Sequence, residues 1–403
     1  MFKTQRSPWV MILALCIMMG CRAQGDKAPA HLTEITSPAG SGSRQLNVSA
    51  GPGGELYLSW IEVTDAGLPA LKFASRTADG WSAARSVVES EDMIVDYADF
   101  PSLLALGKGA FAAHWMSAIP DHEGYKVNLS VSQDDGQTWT KPVVPHRDGT
   151  PTEHGFLSMA AAPQGGVAAV WLDSRNLSGD KPASDEVAMM YTTIGLDGTL
   201  GPESVVDGRV CECCQTSAAL VPEGILTVYR DRSKSEIRDI TIVKFDGKQW
   251  SQPKTVFDDG WQINACPING PAIAAQGRNV AVAWFTAAND KPKVQVAFST
   301  DGGNTFGKPV QVDDGNPVGR VDVVVLESGK AFVSWLEKTD AGGEVRLREA
   351  APDGTRQPSI TAGKTAAGTS SGFPRMDKGA GSILLAWMDT NANRVRTATL
   401  PVN

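Results

Sequence analysis

Apolar and polar residues alternate along most of this chain in short runs broken by Gly, Asp and Asn, the period of half-buried strands and not of helices. The stretch from Asn279 to Val312 shows the unit. One alternating strand ends at Trp284, and after a polar loop a second runs from Lys293 to Phe298. A turn built on Ser299, Asp301, Gly303 and Thr305 then leads to a short strand closing at Val312. That is most of a four-stranded antiparallel sheet.

The same apolar run ends in an aromatic seven times, at Trp60, Trp115, Trp171, Tyr229, Trp284, Trp335 and Trp387, spaced by about 50 to 58 residues. Read as the inner strand of a repeated sheet, it predicts an all-β fold. The expectation is a seven-bladed β-propeller of four-stranded antiparallel blades, or six blades if one copy is degenerate. The last copy stops at RVRTATLPVN without a fourth strand, and the segment HLTEITSP near the other end supplies one. Pairing the two would close the ring and remove an open sheet edge.

If the Asp-Gly hairpins between third and fourth strands lie on one face, the loops from strand two to three and from blade to blade share the other, where sites usually form. That face collects Asp99, Asp322, Arg175, Trp261, Arg320, Arg375 and the run Tyr229, Arg230, Asp231, Arg232. An acid follows the aromatic at a spacing of two in five copies: Glu62, Asp173, Asp231, Glu337 and Asp389. Residues two apart share a strand face, and a repeated acid reads as scaffold, capping loops or pairing with Arg. The unrepeated Arg230, Arg232 and the cysteines are the stronger functional candidates.

Composition narrows the class. With 403 residues, 42% hydrophobic, 41 Gly and 24 Pro, one large turn-rich β domain fits, and a formal net charge of -8 argues against nucleic acid as a partner. Residues 1–21 form a separate segment in which Lys3 and Arg6 precede an apolar run to Gly20, an export signal. Its end, Met18-Met19-Gly20-Cys21, resembles a bacterial lipobox, with methionines in place of the usual leucine and small residue. The resemblance implies lipidation at Cys21, a tether over residues 22–30, the propeller over 31–403, and a cell-envelope location. Arg22 after the cysteine leans towards the outer membrane. Cleavage after Ala23 or Gly25, giving an unanchored exported protein, is the alternative.

The turn at Ser299 to Phe306 and its copy SQDDGQTW at Ser132 to Trp139 resemble the Asp box of the bacterial neuraminidase repeat, found in sialidase-like propellers. The aspartate caps turn N–H groups, the glycine takes a positive φ, and the last aromatic packs under the hairpin. The resemblance implies the fold, with the box away from the working face. A sialidase holds its substrate carboxylate with three arginines and attacks with a tyrosine made nucleophilic by a glutamate. Arg175, Arg230, Arg232, Arg320 and Arg375 supply arginines, but no Tyr follows Tyr229, so the fold carries over and the active site does not.

Four cysteines lie beyond the export segment: Cys211, Cys213 and Cys214 in VCECCQTS, and Cys266 in INACPING. Their loops enter consecutive blades at equivalent points and are expected to be neighbours. In an oxidising compartment they would form two disulfides. Alternatively, the thiolates would hold Zn(II) or Cu(I), or serve thiol-redox chemistry.

The resulting expectation is a monomeric, exported and lipid-anchored propeller that requires no cofactor, with a metal at the cysteines as the exception. It binds a glycan, a small anionic ligand or an envelope protein through Arg175, Tyr229, Arg230, Asp231, Arg232, Trp261, Arg320 and Arg375. The enzyme alternative is a glycoside hydrolase using Asp99, Asp231 or Asp322.

Overall fold

A computed structural model describes Met1 and residues 31–178 and 186–402. The export segment, Cys21 and the tether fall outside the described residues, apart from Met1. Among those described, the strands form seven antiparallel sheets. Blade 5 shows the plan: Ala272–Gln276, Asn279–Thr286, Lys293–Ser299 and Val310–Gln311, paired in that order. In blade 2 the fourth strand shrinks to a single bridge between Leu129 and Val143. The protein is a seven-bladed propeller, and the six-bladed alternative is set aside.

The ring closes as the sequence suggests. Thr33–Ile35 pairs antiparallel with Arg394–Pro401, Thr33 opposite Thr399 and Ile35 opposite Thr397, completing blade 7.

One expectation is corrected. The strands that end in an aromatic are the second strands of their blades, not the innermost. A second strand is covered by blades on both sides, so it carries the densest apolar run. Trp60, Trp171, Trp284 and Trp335 are fully buried. The repeated acid has a local cause as well: Glu62, Asp173 and Glu337 each accept the indole N–H two residues earlier, at 3.0, 2.8 and 2.6 Å. Trp284 has Thr286 at that position and donates instead to Asp259 at 2.6 Å.

The two boxed hairpins close alike. Asp134 accepts from the Gln137 and Thr138 N–H groups and the Thr138 hydroxyl, and Asp301 from Asn304 and Thr305 in the same way. Gly136 and Gly303 sit at φ 74° and 79°, where a side chain would be strained. Trp139 packs edge-on against Phe73 of the neighbouring blade.

The innermost strands face a central channel of about 300 Å³, and each presents an edge that no further strand can pair. Side chains from the adjoining blade satisfy part of it at all seven joins. Asp377 accepts the Ala50 N–H, Asp99 that of Phe156, Asp322 that of Met376, Gln215 that of Gly270, and Asn269 that of Arg320, at 2.7 to 3.0 Å. The Thr216 hydroxyl donates to Phe156 O at 2.8 Å, and the Gln45 amide donates to Asp96 O.

Removing His31 to Thr36 should lower the thermal midpoint by several degrees and cause concentration-dependent association through the freed edge of Arg394–Pro401. Calorimetry and light scattering check this, and an unchanged midpoint would contradict it.

Candidate functional site

The predicted arginines lie on the predicted face, and all of them except Arg375 donate to carbonyls or carboxylates of the fold. Arg230 is 1% exposed and donates to the carbonyls of Asn269, Arg238 and Phe285, with its guanidinium 4.8 Å from the Trp261 ring centre. Arg175 pairs with Asp173 and Glu203, each at 2.6 Å. Arg232 pairs with Glu236. Arg320 donates to the carbonyls of Gly368 and Gly372 between the rings of Tyr97 and Phe373. Arg375 lies 3.4 Å from Asp322 and over Phe100. Tyr229 is buried and donates to Asp207 at 2.6 Å.

The candidate acids separate. Asp99 and Asp322 line the channel, where both bind N–H groups of the next blade. Burial, the largest influence on each, raises Asp322 and pushes Asp99 up to about 7. Asp231 stands apart beside Asp207 and Asp239, raised by burial to about 6.

The cysteines converge. Cys211 Sγ lies 3.9 Å from Cys213 Sγ and 3.6 Å from Cys214 Sγ, and all three sulfurs fall within 4.8 Å of one another. Cys266 is exposed, its sulfur 3.6 Å from Glu212 on the CxCC loop, so the two loops are neighbours as expected. These separations exceed the S–S bond of about 2.05 Å, and all four cysteines are free thiols in this structure. None of the expected disulfides stands at bonding distance in this structure.

Two donors address these sulfurs. Arg238 Nη1 lies 3.1 Å from Cys211 Sγ, and the Asn269 N–H donates to Cys214 Sγ at 3.4 Å. Hydrogen bonds from Cys213 and then Cys214 hold the Cys211 thiol well below its ordinary range. The bond with Cys211 raises Cys213, and burial raises Cys214. The cluster thus favours a thiolate at Cys211.

Sequence reasoning missed Arg238, although its signal was present in EIRDI. Glu236 and Arg238 stand in the loop between the second and third strands of blade 4, and Arg238 pairs with Glu236 at 2.9 Å and Glu212 at 3.1 Å. Arg230 in turn donates to Arg238 O. The Tyr229 to Arg232 run and the cysteine loop are therefore one connected assembly, with the arginines behind the sulfurs.

No family model and no curated protein matches the chain. It is similar in structure to a protein of unknown function from Dyadobacter fermentans DSM 18053, with 13% identity and TM-score 0.50, covering 93% of this chain and 98% of that one. The GH93 α-L-arabinofuranosidase of Fusarium graminearum, in complex with arabinobiose, gives 12% identity, TM-score 0.50, and 92% and 97% coverage. For the Hadza microbial sialidase Hz136 the values are 12%, 0.47, 89% and 66%. At these identities the likeness is one of fold.

The folded Asp99 keeps its proton to about pH 7, whereas the unfolded chain releases it near about 4. The folded state binds the extra proton in between, so this group's contribution to stability is lost as pH rises through that window. Asp99→Asn should therefore gain stability relative to wild type between pH 4 and 8, by up to about 4 kcal/mol. Denaturant melts of both proteins across that range check this, and a constant difference would contradict it.

Proposed function

We propose that this protein is an exported, lipid-anchored propeller of the bacterial envelope that binds a soft metal ion, Cu(I) or Zn(II), through Cys211, Cys213 and Cys214, with Cys266 as an outer thiol. The sulfur spacing carries this reading. Metal–thiolate bonds of about 2.3 Å put sulfurs about 3.8 Å apart around a tetrahedral ion and about 4.0 Å apart around a trigonal one. The separations of 3.6 and 3.9 Å match those polyhedron edges.

The surroundings agree with that chemistry. Arg238 and the Asn269 N–H offer hydrogen bonds to sulfur, the outer-shell support that ligating thiolates need. Soft ligands of this kind select Cu(I), Zn(II) or iron–sulfur clusters over hard cations. Export and anchoring rest on the charged and apolar pattern of residues 1–21.

A second reading, a glycan or anionic ligand at the channel mouth, draws on the near-neutral carboxyl of Asp99. Turnover of a glycoside panel, lost in Asp99→Asn, would favour it.

Native mass spectrometry of protein purified without oxygen should find a metal ion on the chain that is lost when Cys211, Cys213, Cys214 and Cys266 are all changed to Ser. Cys211→Ser or Cys214→Ser should weaken binding at least about 100-fold, and Cys266→Ser about 10-fold. Metal-free wild type lacking four protons, the mass of two disulfides, would overturn the proposal.

A further inference from the structure

A second cluster on the same face is unused by the thiolate centre. It joins His146, Asp148 and His154, from the loop and inner strand that enter blade 3, to Asp173 at the end of that blade's second strand. His154 is fully buried, and its Nδ1 lies 2.9 Å from Thr152 O. A carbonyl only accepts, so Nδ1 carries a proton, and in a neutral ring Nε2 is a bare lone pair. That lone pair faces two carboxylate oxygens, Asp148 Oδ1 at 3.1 Å and Asp173 Oδ1 at 3.6 Å. Acceptors facing acceptors repel unless something positive lies between them.

His146 points to what that is. Its ring stacks on His154 with centroids 3.7 Å apart and planes 4° from parallel, and two imidazolium rings at that distance would repel. His146 Nδ1 lies 3.5 Å from the same Asp148 oxygen, while its buried Nε2 has no hydrogen-bond partner among the described residues. Arg175, paired with Asp173 and Glu203, is the one cation in contact with this group among the described residues. Set against Asp148, Asp173 and Glu203, it leaves two negative charges.

We infer that His146, Asp148 and His154, backed by Asp173, form a second metal site, for a borderline divalent ion such as Zn(II). Around a tetrahedral ion with bonds of about 2.1 Å, ligand atoms lie about 3.4 Å apart. The three facing pairs stand at 3.1, 3.5 and 3.6 Å. The contact from His154 Nδ1 to a backbone carbonyl is the support that a metal-bound histidine almost always has. Arg175 orients Asp173 by donating from Nε and Nη2 at 2.7 and 2.6 Å. The ligands are two nitrogens and carboxylate oxygens, so the site is harder than the thiolate centre and should prefer Zn(II) or Co(II) to Cu(I).

The test uses the full chain with Cys211, Cys213, Cys214 and Cys266 changed to Ser, so that failure of the thiolate reading does not affect it. Titration with Co(II) should give one equivalent of bound ion with visible d–d absorption. Affinity should fall at least about 100-fold in His154→Asn and about 10-fold in His146→Ala. If the cysteine variant does not fold, histidine NMR of wild type replaces it: Co(II) should broaden the His146 and His154 resonances beyond detection while those of His31 and His122 persist. Absence of d–d absorption, or ring resonances of His146 and His154 unmoved by metal, would overturn the inference and leave His154 as an imidazolium bound by its aspartates.

Discussion

The innermost edge of each blade is the constraint from which the rest of this structure follows. A ring of seven sheets leaves seven strand edges facing a channel, and buried backbone groups must find partners. Here each blade borrows them from its neighbour: Asp377 from blade 7 reaches Ala50, Asp99 reaches Phe156, and Asp322 reaches Met376. These bonds set the angle between blades and fill the channel with carboxylates. Acids that look catalytic in a list of polar residues are, at these positions, parts of the joint between sheets.

The same economy governs the arginines. Arg230, Arg320 and Arg175 stand where ligand-binding arginines were expected, yet carbonyls and carboxylates of the fold take up their donors. Their effect is to hold loops rigid. Arg230 ties Asn269 and Arg238 together, and those two address Cys214 and Cys211. These loops in turn hold the three sulfurs within 4.8 Å of one another.

Much of this was legible in the chain. The aromatic that ends each second strand marks a run buried on both sides, so Trp60 through Trp387 counted the blades correctly, and HLTEITSP announced itself as the missing strand of blade 7. The hairpin turns were legible because Asp134 and Asp301 act within five residues of themselves. The partners of Arg230 were hidden, since all four of its side-chain bonds go to backbone carbonyls, which every residue has. The grouping of His154 with Asp173 was hidden for another reason: it depends on strand register, in which those two residues face each other. The CxCC loop promised convergence but could not decide its chemistry, because disulfide and metal both require close sulfurs and differ by less than 2 Å in their separation.

That difference in separation is directly measurable. X-ray absorption at the copper and zinc edges of the protein, purified anaerobically with its native metal, should show a first shell of three or four sulfur atoms at about 2.2 to 2.3 Å. A first shell of oxygen and nitrogen alone, or a sulfur edge characteristic of disulfide, would contradict the account of the cysteine cluster as a thiolate metal centre.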